Sequence, residues 1–476
     1  MRRAALPTPT VVLAAVALAV GAFASSCGGS PAPAAKSAAA VSTGVVTATT
    51  STTSKGAQVA VAAAPAANTE IWGDAKAAYD RGFQAWTSGD LQAAKTAFKD
   101  AASRSSSAGG PRYSLGCVLE RLGDTQGALD AYRAAYDANP KYEVAIGAYA
   151  KLLAQTGRGS DAEQFLATKQ SQFPDSVRLM TYLAEVKSIE GNSPGCQQLA
   201  QQALTKQPDF KEAMVVIARD YYRSHRWDLA KYALKAILDG ADDGSIPPRD
   251  EGNPDALLMR ALIERDSGDR KNALIDFDKA AAKRPDLFEA YVNLGEMKLE
   301  AGNATEARFP LEKAVRYAPN VPVAHLDLGD CYRLLGRSGD AKTELQKALS
   351  MDSTLAAVHY DLGLLYLFSP SVPGIPSPDE QLAKAIAELD TYRSMRNARA
   401  GRAIGGPGDD VDELLSTAKR KQSELQLKKQ AAAAAPAPSA VPAPAAGSAG
   451  AAAKPAGSGA ATPASTGGNL VRDLPN

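Results

Sequence analysis

Between Ala75 and Asn397, apolar residues recur at helical spacing in short runs, with small or charged residues filling the other positions. The runs come in pairs, and the pairs repeat. Tyr291-Val-Asn-Leu-Gly295 lies over His325-Leu-Asp-Leu-Gly329, and Ala307, Leu311 and Ala314 lie over Ala341, Leu345 and Ala348, each thirty-four positions apart. A unit of that length predicts two antiparallel helices too small to bury their own apolar face, so each unit must stack on its neighbour. Units start at Ala75, Gly109, Glu143, Val177 and Lys211, then, after a nine-residue insertion, at Pro254, Phe288, Pro322 and Ala356. Position eight is always small: Gly82, Gly116, Ala150, Ala184, Ala218, Ala261, Gly295, Gly329 and Gly363. Position twenty holds Ala94, Ala128, Ala162, Cys196, Ala230, Ala273, Ala307 and Ala341, and prolines such as Pro140, Pro174 and Pro319 follow the second helix. Small residues let two helix axes approach to about 8–10 Å, and proline, which has no amide hydrogen, stops a helix.

The spacing and these residues resemble the tetratricopeptide repeat over residues 75–397. The resemblance implies an all-α, right-handed superhelical solenoid of about nine helix-turn-helix repeats. Repeats one to five occupy residues 71–238, and an inserted loop at 239–253, rich in Gly, Asp and Pro, predicts a seam. Repeats six to nine occupy residues 254–397, with a second loop at 369–379 inside the last. Pro310 predicts a kink or a delayed start in the second helix of repeat seven. A hinge at 398–409 leads to a capping helix at 410–430, acidic at its start and basic at its end, as suits the helix dipole.

The flanks have a different character. Arg2 and Arg3 precede an unbroken apolar run, Val11 to Val20, too short for a membrane span and placed as in an export signal, residues 1–26. Ala24-Ser-Ser-Cys27 resembles the lipobox of bacterial lipoproteins, which implies acylation of Cys27. By the same resemblance, Gly28 after the cysteine implies sorting to the outer membrane and a periplasm-facing protein. Residues 27–70 are nearly all Ala, Ser, Thr, Gly, Val and Pro, a disordered tether with a reach of about 35 Å. Residues 431–476 form a second, Ala/Pro-rich tail. Loss of residues 1–26 leaves 51 Lys plus Arg against 52 Asp plus Glu. Near neutrality argues against nucleic acid, whose phosphates require a basic field.

Candidate chemistry is sparse. Of the three histidines, His225 stands where other repeats have a turn glycine, and His325 and His359 share position four of adjacent repeats. Helices about 8–10 Å apart do not bring two such rings to one zinc, whose ligands lie at about 2 Å, so no metal site is expected. Cys117, Cys196 and Cys331 read as buried thiols in place of alanine. Nothing resembles a catalytic centre, and neither a cofactor nor a small-molecule substrate is expected.

What remains is the inner groove. In the tetratricopeptide family, positions two, five, nine, twelve and thirteen of the first helix line the concave face and grip a peptide or helix. Carried onto this chain, that pattern implies a basic first half with Lys151, Arg178, Arg219, Tyr222 and Arg223. It implies an acidic second half with Asp255, Asp266, Glu289, Glu296, Glu300 and Asp330, and an apolar end with Tyr360, Leu364, Leu367 and Phe368. The Lys/Asn carboxylate clamp of chaperone-binding members is missing. The order of lipobox, tether, nine repeats and Ala/Pro-rich tail is similar to that of the repeat lipoproteins of gliding-motility complexes. This implies a non-catalytic scaffold that holds other envelope proteins of the gliding machinery. The alternatives are a pilotin-like assembly factor for a secretin or type IV pilus, and an adaptor for peptidoglycan hydrolases.

Overall fold

The structure, a computed structural model, describes residue 71, residues 73–400 (the last three by backbone alone) and residues 410–434. The export signal, Cys27, the tether, most of the hinge and nearly all of the tail lie outside the described residues. Up to Leu425 the chain forms one compact unit, and a second, from Gln426, contributes only the end of the last helix to the described residues.

Nineteen α-helices and no strands make up the described residues. Repeat one pairs α1 (Gly73–Ser88) with α2 (Leu91–Arg104), repeat two α3 (Gly109–Arg121) with α4 (Thr125–Ala138), and repeat three α5 (Glu143–Gln155) with α6 (Gly159–Gln172). Repeats four and five pair α7 (Val177–Ile189) with α8 (Ser193–Lys206) and α9 (Lys211–Arg223) with α10 (Trp227–Leu238). Beyond the insertion come α11 (Pro254–Asp266) with α12 (Arg270–Lys283) and α13 (Phe288–Glu300) with α14 (Ala304–Tyr317). Repeats eight and nine pair α15 (Pro322–Leu334) with α16 (Ser338–Met351) and α17 (Ala356–Phe368) with α18 (Pro378–Ala400), before α19 (Val411–Ala434). The expected all-helical repeat solenoid is what forms.

The crossing inside each repeat explains the small residue at position eight. A Cβ on Gly295 would stand 2.3 Å from Leu311, and one on Gly116 would stand 2.5 Å from the Tyr132 ring. The larger partner sits at position twenty-four. There Phe98, Tyr132, Leu166, Leu234, Phe277, Leu311 and Leu345 are all fully buried. Between the two helices, a side chain such as Asp90 caps the second one, its Oδ1 accepting from Ala93 N at 3.0 Å. The turn requires left-handed backbone, supplied by glycine in most repeats and by His225 (φ 55°) in repeat five.

One expectation about a break is corrected, and of the two outcomes expected at Pro310 the delayed start is excluded. The apolar core runs without interruption across the insertion, from Met214 to Ala324, so no seam lies there. The core divides earlier, at repeat four, where position twenty-four is Ala200 and the packing shrinks to Ala184, Cys196, Ala200 and Val216. Polar contacts fill the joint. The Asp220 carboxylate, 2% exposed, accepts from Ser188 Oγ at 2.8 Å, Ser193 Oγ at 2.5 Å and Gln197 Nε2 at 2.7 Å. Nor does Pro310 delay its helix, because α14 starts at Ala304 and continues through it to Tyr317.

The array also curves until its beginning meets its later repeats. Arg121, at the end of α3 and 1% exposed, donates through Nη2 to Asp286 O at 3.3 Å and lies 3.8 Å from Asp286 Oδ2. Its guanidinium covers the Phe288 ring at 4.7 Å and the Trp86 ring at 5.8 Å. Tyr317 OH donates to Thr87 O at 2.9 Å, and the Asn320 amide, oriented to satisfy both its ends, donates to Arg121 O at 2.6 Å. Gly89 admits this approach, since a Cβ there would lie 2.5 Å from Arg316.

Replacing one member of a buried ion pair strands the other. Arg121→Met is expected to lower stability by about 3–5 kcal/mol in urea unfolding and to raise the radius of gyration in small-angle scattering. An unchanged radius would mean that the contact does not hold the turn closed.

Candidate functional site

The first helices of repeats three to nine carry the candidate groove, and their charged side chains pair across repeats. In the first half, Glu185 of α7, 5% exposed, is the hub. Lys151 Nζ lies 3.3 Å from Glu185 Oε2, and Arg219 Nη1 donates to Glu185 Oε1. Burial alone would raise the Glu185 carboxyl, but Lys151, Arg219 and Arg223 outweigh it and hold the group down at about 2. Arg223 Nη1 donates to Ser188 Oγ at 2.8 Å, Arg178 lies 3.8 Å from Glu212, and Tyr222 OH donates to Asp266 Oδ2 at 2.6 Å. The half expected to be basic is therefore a neutralised network. Its carboxylate comes from position nine of the intervening repeat.

The second half is paired less completely. Asp255 meets Arg284 at 3.1 Å, Asp266 meets Arg265 at 2.8 Å and Glu300 meets Arg270 at 2.5 Å. Asp330 accepts from Arg333 Nε at 2.9 Å. Glu296 has Arg265 4.0 Å away, and burial pushes its carboxyl up to about 7 against the pull of Arg265 and Arg270. Glu289 Oε2 is buried without a partner; burial likewise raises that carboxyl to about 7, against the pull of Arg121 and Arg284.

Two further carboxylates belong to this half, Asp327 of α15 and Asp361 of α17, both at position six and thirty-four residues apart. They fall outside the five positions carried over from the family, although the repeat offset alone pairs them. Asp327 is 7% exposed and its Oδ2 has no hydrogen-bond partner.

The apolar end is covered by the chain itself. Leu367 is buried in the same cluster as Val411, Leu414, Leu415 and Ala418 of α19, with Tyr360 and Leu364 packed against it. Lys421 Nζ donates to Leu367 O at 3.2 Å and sits 5.2 Å over the Phe368 ring, and Tyr360 OH donates to Asp410 at 2.9 Å. Of the four, Phe368 alone stays exposed.

The two groove-side histidines do not meet. His325 Nδ1 lies 2.5 Å from Glu344 Oε2, and His359 Nδ1 lies 2.6 Å from Glu388 Oε2, each on the second helix of its own repeat. Cys117, Cys196 and Cys331 are buried and form no disulfide with one another. Among the described residues no group of three or more His, Cys, Asp or Glu is placed to hold a metal ion, and no helix is long and apolar enough to cross a membrane.

Stacked helix pairs with this crossing define a tetratricopeptide-repeat solenoid. Two tetratricopeptide-repeat family models match the sequence, one over residues 119–185 and 298–360 and the other over residues 79–143 and 258–322, so the chain carries these repeats. Comparison with curated proteins gives no match. Among solved structures, the chain is similar to one in the APC/C hetero-tetramer Cut9–Hcn1, with 14% identity and a TM-score of 0.47. The match covers 69% of this chain and 59% of that one, so this chain spans about three-fifths of its length. A tetratricopeptide repeat protein from Parabacteroides merdae is similar at 16% identity and TM-score 0.33, over 53% of this chain and 97% of that one. Pseudomonas aeruginosa pilF is similar at 16% identity and TM-score 0.29, over 45% and 94%.

The raised Glu289 carboxyl has a consequence for stability. The folded protein keeps this proton up to about pH 7, whereas an ordinary glutamate loses it at 4.5. Its contribution is thus full below pH 4.5 and lost as pH climbs to 7. Glu289→Gln should gain stability relative to the parent across that window, read from urea midpoints at four pH values. Parallel curves would contradict it.

Proposed function

We propose that this chain is a non-catalytic scaffold, held at the outer membrane by a lipid on Cys27, that grips other envelope proteins of the gliding machinery along its inner face. The observation that carries the reading is the row of half-buried charged side chains from Lys151 to Asp330, set on successive first helices and linked across repeats as far as Glu300. Such a pattern orients a partner and selects against wrong ones more than it adds raw affinity. A repeat array supports this use because its stacked units hold the charges at fixed intervals along an extended surface. The lipobox-like Ala24–Cys27, the tether and the near-neutral charge support anchorage beside a membrane and protein partners in place of nucleic acid.

Photo-crosslinking in intact cells tests the gripping surface. A crosslinker at Arg178 or Glu300, both partly exposed on the inner face, should capture a defined set of envelope proteins, whereas one at Lys99 or Lys283 on second helices should not. Equal capture from both sides would remove the groove from the proposal.

The anchor and the machine are tested separately. Cys27→Ser should abolish incorporation of labelled palmitate and move the protein to the soluble fraction, and deletion of the chain should stop gliding while pili persist. Palmitate labelling that survives the substitution would place the lipid elsewhere.

A further inference from the structure

We propose that the inner face of repeats seven to nine receives a cationic side chain, arginine or lysine, from the bound protein segment, held among Asp327, Asp361 and Glu296. This rests on the scaffold reading and specifies the chemistry of the partner. Adjacent first helices bring the groups together. Glu296 and Glu300 come from α13, Asp327 and Asp330 from α15, and Asp361 from α17. The cations facing them are committed: Arg333 to Asp330, Arg270 to Glu300, and Arg265 to Asp266 at 2.8 Å and only at 4.0 Å to Glu296. Five carboxylates therefore face three guanidinium groups, one of them shared with a sixth carboxylate.

Asp327 is the second, independent sign. Its side chain is more than nine-tenths buried and Oδ2 meets no donor, an arrangement that costs a buried carboxylate its desolvation unless a partner supplies the donor. A docking guanidinium supplies several donors in a planar fork suited to carboxylates on neighbouring helices. Among the described residues no group of three or more such side chains is placed to hold a metal ion, but a multi-atom cation bridges wider gaps.

The protonation of the cluster agrees with an absent counter-charge. Burial raises the Asp327 carboxyl well above the ordinary range, and Glu296, Asp330, Asp361 and Glu300 add to the shift. Burial and then Asp330 do the same to Asp361, with Arg333 opposing. With the Glu296 carboxyl pushed up to about 7, the cluster holds part of a proton near neutrality that an incoming cation displaces, so binding releases protons and strengthens as pH rises.

The test uses the full chain, a nine-arginine peptide and its citrulline counterpart, by calorimetry at pH 7 in two buffers of different ionisation enthalpy. The arginine peptide should bind at least about tenfold more tightly than the citrulline one, a single unit on the logarithmic scale, and should release protons. Asp327→Asn with Asp361→Asn should cut its affinity about tenfold and reduce the release. Asp137→Asn with Asp209→Asn, the same change of charge at exposed positions, should alter affinity less than about twofold. Asp361→Asn alone, at the less buried site, gives a smaller loss in the same direction and keeps the test readable if the double variant unfolds. Equal losses in the two pairs, or no binding of the arginine peptide, would overturn the pocket. Arginine and citrulline peptides bound alike, with crosslinks from Arg178 and Glu300 intact, would overturn the cation preference and leave the scaffold standing. Loss of those crosslinks would instead remove the scaffold reading beneath it.

Discussion

Each repeat depends on one close crossing, in which the first helix offers a residue no larger than alanine and the second fills the space with a bulky apolar side chain. Gly295 against Leu311 and Gly116 against Tyr132 show how little room is left. Because protein interiors pack as densely as organic crystals, one methyl group at the crossing displaces the partner or the helix axis. That displacement would tilt the next repeat as well, since each unit stacks directly on its neighbours. The crossing therefore determines how the first helices line up, and with them every charged group on the inner face.

Where the crossing loses its bulk, polar groups take over. Repeat four has Ala184 and Ala200 at the two crossing positions, and the neighbouring joint is held by the Asp220 hub. Satisfied buried polar networks give a joint a definite geometry, but they do so with less apolar area than the repeats on either side. On either side of this polar joint stand larger apolar clusters, one from Ile71 to Val186 and one from Met214 to Ala324, with a third from Ala307 to Ala418 beyond them.

The period, the helix pairs and the need for small residues at position eight were readable from residue spacing, because these are properties of one repeat and the sequence repeats them. What spacing could not show is which charge meets which. Arg219 looks free when α9 is considered alone, yet Glu185 on α7 neutralises it across the stack. Asp327 and Asp361 escaped notice because their position is an ordinary packing site in most repeats, with Tyr182 and Val216 there in repeats four and five. Leu367 read as groove although the sequence predicts a capping helix at 410–430, because residue spacing does not show which side chains of the last repeat that helix, α19, will cover. The insertion looked like a break because Gly and Pro mark loops, whereas the break in the core follows from the missing bulk at Ala200.

The contact made by Arg121 also has a bearing on how the protein is made. Its partner Asp286 lies 165 residues further along the chain. A ribosome working at about 5–20 residues per second leaves the guanidinium and the neighbouring Trp86 without their final surroundings for roughly ten to thirty seconds. Early repeats can stack as they emerge, but the beginning of the protein reaches its mature state only once the seventh repeat has arrived. Maturation of the N-terminal end is in this way conditional on completion of most of the array, since a product truncated before Asp286 would leave the Arg121 guanidinium without its carboxylate and carbonyl partners.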